Sequence, residues 1–155
     1  ETITIDFGKI QPRIKQSFMP FTVLFQHNKK RLDRFIADVK HYNQQIVEDN
    51  STTFDGQIIN HYIELLDRNH GIQQGIDDDY QPITITAKAI RDELINNGYN
   101  ENLNSRTVGK HLKALGFNST PKKIQGKTTR VIDISQDKLD QLKTRYVLTA
   151  QEENA

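Results

Sequence analysis

The stretch Ser105-Arg106-Thr107-Val108-Gly109-Lys110-His111-Leu112-Lys113-Ala114-Leu115-Gly116-Phe117 decides how this chain is read. Placed on a helix with Val108 at zero and about 100° per residue, Leu112 and Leu115 fall within about 40° of it. Arg106, Lys110 and Lys113 fall on the opposite side, between about 140° and 200°, with Thr107 and Gly109 on the flanks. The spacing predicts a helix that buries an apolar seam and turns a basic ridge outward. A helix of that kind suits the major groove of duplex DNA. Asn104 or Ser105 is placed to cap it, and Gly116 to stop it after Leu115. Gly109 costs about 1 kcal/mol in a helix interior relative to alanine. That cost implies close approach to a neighbouring backbone, of protein or of nucleic acid.

Working outward, Phe117 to Ile124 reads as a strand interrupted by Pro121, and Gln125-Gly126-Lys127-Thr128 as a hairpin turn. Thr129 to Ile134 reads as the returning strand, and Ser135 caps a last helix running to about Val147. Upstream, Ile83-Thr84-Ile85 reads as a short strand, and Thr86 caps a helix over Ala87 to Asn97 with Gly98 as its stop. Ile90 and Leu94 are its core contacts, and Tyr99 to Leu103 is a turn. Before these, a helix spans Phe54 to Asn69, with Gly71 as its stop and a loop over 71–81. The triple aspartate Asp77-Asp78-Asp79 reads as solvated loop, because no wider ligand pattern accompanies it. The order helix, short strand, helix, helix, strand, turn, strand is that of a winged helix-turn-helix. The fold class expected is therefore mainly α with a small β-hairpin (α+β), preceded by a helical segment. In residues 1–50, Thr2 to Phe7 alternates like a strand. Phe18 to Phe25 is an apolar run broken by Pro20, either buried strand or helix. Asn28 caps a helix to about Val47, ended by the polar Glu48-Asp49-Asn50-Ser51. The organisation expected is an N-terminal segment over 1–50, a winged-helix domain over 54–147 and a frayed tail over 148–155.

The net charge of +1 conceals a segregation. Residues 1–50 carry +2, residues 51–102 carry −6, residues 103–132 carry +7 without one acid, and residues 133–155 carry −2. Residues 103–132 thus present a positive field that nothing within them neutralises. Its cations gather on the helix over 105–115 and around the hairpin over 118–131, as Lys122, Lys123, Lys127 and Arg130. Phosphate contacts there would supply affinity, and helix side chains any choice of sequence. The candidate DNA-binding residues are Ser105, Arg106, Thr107, Lys110, Lys113, Lys122, Lys123, Lys127 and Arg130. Duplex is expected over single-stranded DNA, since no row of aromatic residues marks a stacking platform.

The stretch over 105–117, with Gly126-Lys127 and Arg130-Val131-Ile132, resembles winged-helix domains. More narrowly, it is similar to the C-terminal winged helix of replication helicases and primase-helicases from mobile elements and archaea, including the minichromosome-maintenance type. The likeness covers residues 83–134, about a third of the chain. It implies a non-catalytic DNA-binding accessory domain of a helicase or initiator, attached to an ATPase core whose nucleotide site lies outside this chain, with other parts of a replication complex as partners. It also implies that residues 13–50, with Phe18-Met19-Pro20-Phe21 ahead of helices, form the tail or lid of such a core. A transcription regulator on the same fold, or a winged-helix protein-interaction module, are the alternative readings.

Other chemistry finds little support. The absence of cysteine excludes disulfides, zinc fingers and thiol catalysis. No apolar run approaches the roughly 20 residues of a membrane helix, and the opening residues lack the form of a signal peptide. Beginning at Glu1, the chain reads as a piece of a longer protein, and its setting as cytoplasmic. Gly126-Lys127-Thr128 resembles the end of a phosphate-binding loop, but Pro121 stands where the first glycine belongs. His27, His41, His61, His70 and His111 form no metal-spaced pair and read as satisfied surface residues, so no metal or cofactor is expected. An acid–base pair of His61 and Asp67 has no pocket to place it. Lys29, Lys30, Arg31 and Arg34 read as a solvated first turn, with an auxiliary phosphate contact as the second reading.

Overall fold

Three polar side chains begin helices in the computed structural model, which describes residues 5–73 and 84–148. Asn28 accepts from the Arg31 amide at 3.1 Å and starts α2, Lys29–Thr52. Thr86 accepts from the Ala89 amide at 3.0 Å and starts α4, Ala87–Asn96. Asn104 accepts from the Arg106 amide at 2.8 Å and starts α5, Ser105–Ala114. Glycine ends the last two in the same way. Gly98 and Gly116 have φ of 99° and 96°. In each case the amide after the glycine returns to a carbonyl five residues back, Tyr99 to Leu94 at 3.0 Å and Phe117 to Leu112 at 3.0 Å. These are Schellman closures, which satisfy carbonyls the helix end would leave open.

The remaining elements are α1 (Pro12–Phe18), a 3-10 helix over Met19–Phe25, α3 (Phe54–Gln73), an antiparallel hairpin of β1 (Asn118–Ile124) and β2 (Lys127–Asp133), and α6 (Gln136–Tyr146). The chain is mainly α with one small hairpin, as the sequence predicts. The turn is two residues, Gln125 and Gly126, both at positive φ (47° and 77°), the pattern of a type I′ turn. Lys127 and Thr128 therefore belong to the strand, not to the turn. Pro121 does not interrupt β1, where it pairs with Arg130. A two-stranded ribbon has unpartnered outer edges, and a missing N–H is tolerated on such an edge.

Several expectations are corrected. Residues 5–7 form no strand: Phe7 is buried among Ile10, Ile14 and Val39, and Thr2 to Thr4 lie outside the described residues. Phe18 to Phe25 is the last residue of α1 followed by a 3-10 helix, with Pro20 in its first turn where its missing amide proton is not needed. Helix α2 runs on to Thr52, because the Ser51 and Thr52 hydroxyls donate to the Glu48 and Asp49 carbonyls and satisfy themselves within the helix. Helix α3 passes through Gly71 to Gln73, since a glycine inside a helix costs only about 1 kcal/mol and does not by itself end it. The triple aspartate and Ile83 lie outside the described residues. Thr84 and Ile85 are not strand, although the Ile132 amide donates to the Ile85 carbonyl at 2.9 Å. Ser135 precedes α6 without a side-chain cap bond.

Helices α2 and α3 meet at a sharp corner on Thr53. Its hydroxyl donates to the Asn50 carbonyl at 2.6 Å and accepts from the Gly56 amide at 3.1 Å. Gly56 lies so close to the end of α2 that a Cβ there would collide with the Asn50 and Ser51 carbonyl oxygens, the second at 2.6 Å. The larger core collects Ile58, Ile59, Tyr62 and Leu65 of α3, Ile90 and Leu94 of α4, Val108 and Leu112 of α5, with Phe117, Ile132, Leu139 and Tyr146. A smaller core joins Phe7, Ile10 and Ile14 to Val39 of α2. Helix α2 also packs on α3 and α6, and Asn50 donates to the Arg145 carbonyl at 3.2 Å.

Candidate nucleic-acid interface

Packing sets the orientation of α5. Val108 and Leu112 are buried and Leu115 is half-buried, so the opposite face turns to solvent. That face carries Arg106, Thr107, Lys110, Lys113 and Ala114, all exposed, while Ser105 is half-buried at the start. The seam and ridge expected from the helical wheel are both present. Gly109 is half-buried, and a Cβ built there would meet the Ala87 Cβ at 3.9 Å, an ordinary contact. Nothing among the described residues requires glycine at that position.

The hairpin follows immediately. β1 is exposed from Asn118 to Lys123, and β2 buries only Ile132. Register decides which cations share a face. Lys122 pairs with Thr129 and Ile124 with Lys127, which puts Lys122 and Lys127 on one face of the ribbon. Lys123 pairs with Thr128 and Pro121 with Arg130, which puts Lys123 and Arg130 on the other. All four are exposed. The hairpin thus carries basic groups on both faces.

Several described acids of the middle segment are engaged locally. Glu93 takes Arg68 in a two-point contact at 2.9 and 3.3 Å, Asp92 takes Arg91 at 3.2 Å, and Asp55 takes His111 Nδ1 at 2.7 Å. Among the described residues, none of Arg106, Lys110, Lys113, Lys122, Lys123, Lys127 and Arg130 is ion-paired. Their charge is therefore directed to solvent.

One histidine is corrected, and another holds two helices together. His61 is not a surface residue: it is buried in α3, with Nδ1 at 2.9 Å from Glu64, not Asp67, and Nε2 buried without a hydrogen-bond partner among the described residues. His111 sits on the flank of α5 between the Asp55 carboxylate and the edge of Phe54, whose ring lies 4.8 Å away. It ties α5 to the first turn of α3 and so helps aim the ridge. The Arg91 Nε donates to the Leu103 carbonyl at 2.7 Å and holds the turn that leads into α5. Neither tie was visible in the sequence, because the partners are 56 and 12 residues apart and carry no local pattern. Tyr62 stacks edge-on against Phe117 at 4.7 Å. Burial, and secondarily the Asp133 carboxylate, pushes its hydroxyl above the usual tyrosine range. Among the described residues, no three metal-ligating side chains gather, and no helix is long and apolar enough to cross a membrane. Comparison of the chain with protein-family models, with curated proteins and with solved structures found no match.

Proposed function

We propose that residues 54–147 form a winged helix that binds duplex DNA as a non-catalytic part of a replication protein, a helicase or an initiator acting in the cytoplasm. One observation carries this reading: seven exposed cations, without an ion-pair partner among the described residues, lie on the outer face of α5 and on the hairpin, with no acid among them. In this reading α5 enters the major groove, where Arg106 and Lys110 are placed to meet base edges. The hairpin is the wing, laying Lys122, Lys123, Lys127 and Arg130 along phosphates. The small side chains of Thr107 and Ala114 beside the ridge leave room for the groove wall. Neither α5 nor the hairpin carries Phe, Tyr or Trp, so neither offers the stacking surface that single strands use.

The test is fluorescence anisotropy of a labelled duplex titrated with this chain across salt concentrations. Each phosphate neutralised contributes about −0.9 to the slope of log affinity against log salt, so seven contacts set a limit near −6. A steep slope is expected. Absence of binding at low salt would reject the reading.

A further inference from the structure

The 3-10 helix and α1 present a second surface, which shares no residue with α5 and the hairpin. Among the described residues, the large apolar side chains most open to solvent gather here: Leu24 at 75% exposure, Val23 at 60%, Phe21 at 50% and Tyr42 at 47%. Beside them runs an open groove of about 730 Å³, lined by Pro12, Met19, Pro20 and Val23 together with Lys15, Gln16 and Thr22. The patch is held in shape from below. Phe18 packs against Phe35, Tyr42 and Phe21 at 6.2, 5.8 and 6.5 Å, and the buried Thr22 hydroxyl donates to the Met19 carbonyl at 2.6 Å. A solvent-facing apolar patch of this kind marks a surface that another molecule covers.

The surrounding charge narrows what that molecule is. Residues 9–37 carry seven basic groups, Lys9, Arg13, Lys15, Lys29, Lys30, Arg31 and Arg34, against the single acid Asp33. All seven are exposed, and among the described residues none is ion-paired. A two-fold dimer through this patch would bring Lys15 and the cations of the adjoining α1 and α2 against their own copies, which opposes association. A second copy docking by another face has little to offer, since outside this patch Leu148 is the only large apolar side chain exposed among the described residues. None of the side chains that line the groove is aromatic, which fits inserted aliphatic side chains better than it fits stacked bases.

We infer that this surface docks a partner protein through an amphipathic helix, whose apolar side chains enter the groove beside Val23 and Leu24 and whose carboxylates meet the surrounding lysines and arginines. This is the helix-in-groove mode, with acidic flanks giving specificity. The inference does not rest on the DNA reading, because no residue is shared between the two surfaces.

The probe is a labelled synthetic helix with leucine at i, i+3, i+4 and i+7 and glutamate elsewhere, titrated against the full chain. A matched peptide carries lysine in place of glutamate. The glutamate peptide should bind saturably, and the lysine peptide at least about tenfold more weakly. Leu24→Asp should weaken the glutamate peptide by about tenfold or more. It should leave duplex binding unchanged, so failure here and failure of the DNA reading are distinguishable. Val23→Ser is the second variant, should Leu24→Asp disturb the circular dichroism spectrum. No saturable binding at about 1 mM would overturn the inference. So would equal binding of both peptides, or indifference to both variants. The same holds if anionic vesicles or a single-stranded oligonucleotide bind in a Leu24-dependent way while the peptide does not, or if the chain self-associates through Leu24.

Discussion

Gly56 and Gly109 are both glycines inside helices, and their surroundings give them opposite meanings. At Gly56 a side chain would collide with backbone carbonyls of Asn50 and Ser51, which cannot move without opening the corner between α2 and α3. Gly56→Ala is expected to cost about 1–3 kcal/mol, seen as a lower thermal midpoint. At Gly109 an added Cβ meets only the Ala87 Cβ at 3.9 Å. Gly109→Ala should therefore gain about 1 kcal/mol from helix propensity and raise the midpoint by a few degrees. If clearance for DNA is what the glycine supplies, the same variant binds duplex more weakly while being more stable. An unchanged affinity would remove that explanation. Tyr62 gives a pH prediction. Its folded-state pKa is raised above the ordinary 10.0 by burial and by Asp133. Below the ordinary value both states hold the proton, and the full stability is present. As pH climbs past it, the unfolded chain ionises first, and stability falls until the folded pKa is passed. Urea midpoints measured between pH 9 and 11 should drop for the wild type and drop less for Tyr62→Phe. Parallel curves would show that Tyr62 does not carry the alkaline loss.

At the scale of elements, α5 was legible at both ends because its signals are local. Asn104 caps through its own side chain, Gly116 takes the positive φ that ends the helix, and the buried seam repeats at helical spacing. The hairpin was legible through Gly126 in the turn and Val131 and Ile132 in the returning strand, although the turn proved two residues long and Pro121 did not interrupt β1. The errors fell where tertiary context overrides local signals. Glu48 to Ser51 are polar, yet helix α2 continues through them to meet α3 and α6. Gly71 resembles a stop, yet α3 runs past it. Phe18 to Phe25 stayed open between buried strand and helix, because apolar composition does not tell whether a covering element exists, and Phe21, Val23 and Leu24 are exposed. Burial of His61 and the His111–Asp55 tie are likewise long-range facts. The assignment of α5 itself is open to test. Lys110→Ala and Arg106→Ala lie opposite the seam, and each should leave the unfolding midpoint within about 0.5 kcal/mol of wild type. Each should also weaken duplex binding. Val108→Asp places a charge in the core and should unfold the domain by circular dichroism. Reversal of that pattern would mean that the buried and exposed faces have been exchanged.

Over the whole molecule, the nearly neutral net charge is the sum of two basic surfaces and an acidic middle whose described carboxylates are largely engaged at home. The two basic surfaces differ in what surrounds them. The cations of α5 and the hairpin stand among small polar side chains, Thr107, Ser119, Thr120 and Thr128, which suits a hydrated phosphate backbone. Of the cations in residues 9–37, Lys15 lines an apolar groove and the others stand on α1, at the start of α2 and just ahead of α1, elements that adjoin it in the chain, which suits a partner that must bury carbon as well as meet charge. Salt dependence separates these roles, because the slope of log affinity against log salt counts phosphate contacts irrespective of sequence. Lys122→Ala with Lys123→Ala should reduce the magnitude of that slope for duplex binding by up to about 2. Lys29→Ala with Lys30→Ala should leave it unchanged and weaken the acidic peptide instead. If the Lys29 and Lys30 variant flattens the duplex slope as much as the hairpin variant does, both basic surfaces lie in one DNA footprint. The division of the molecule into a DNA face and a protein-docking face would then be wrong.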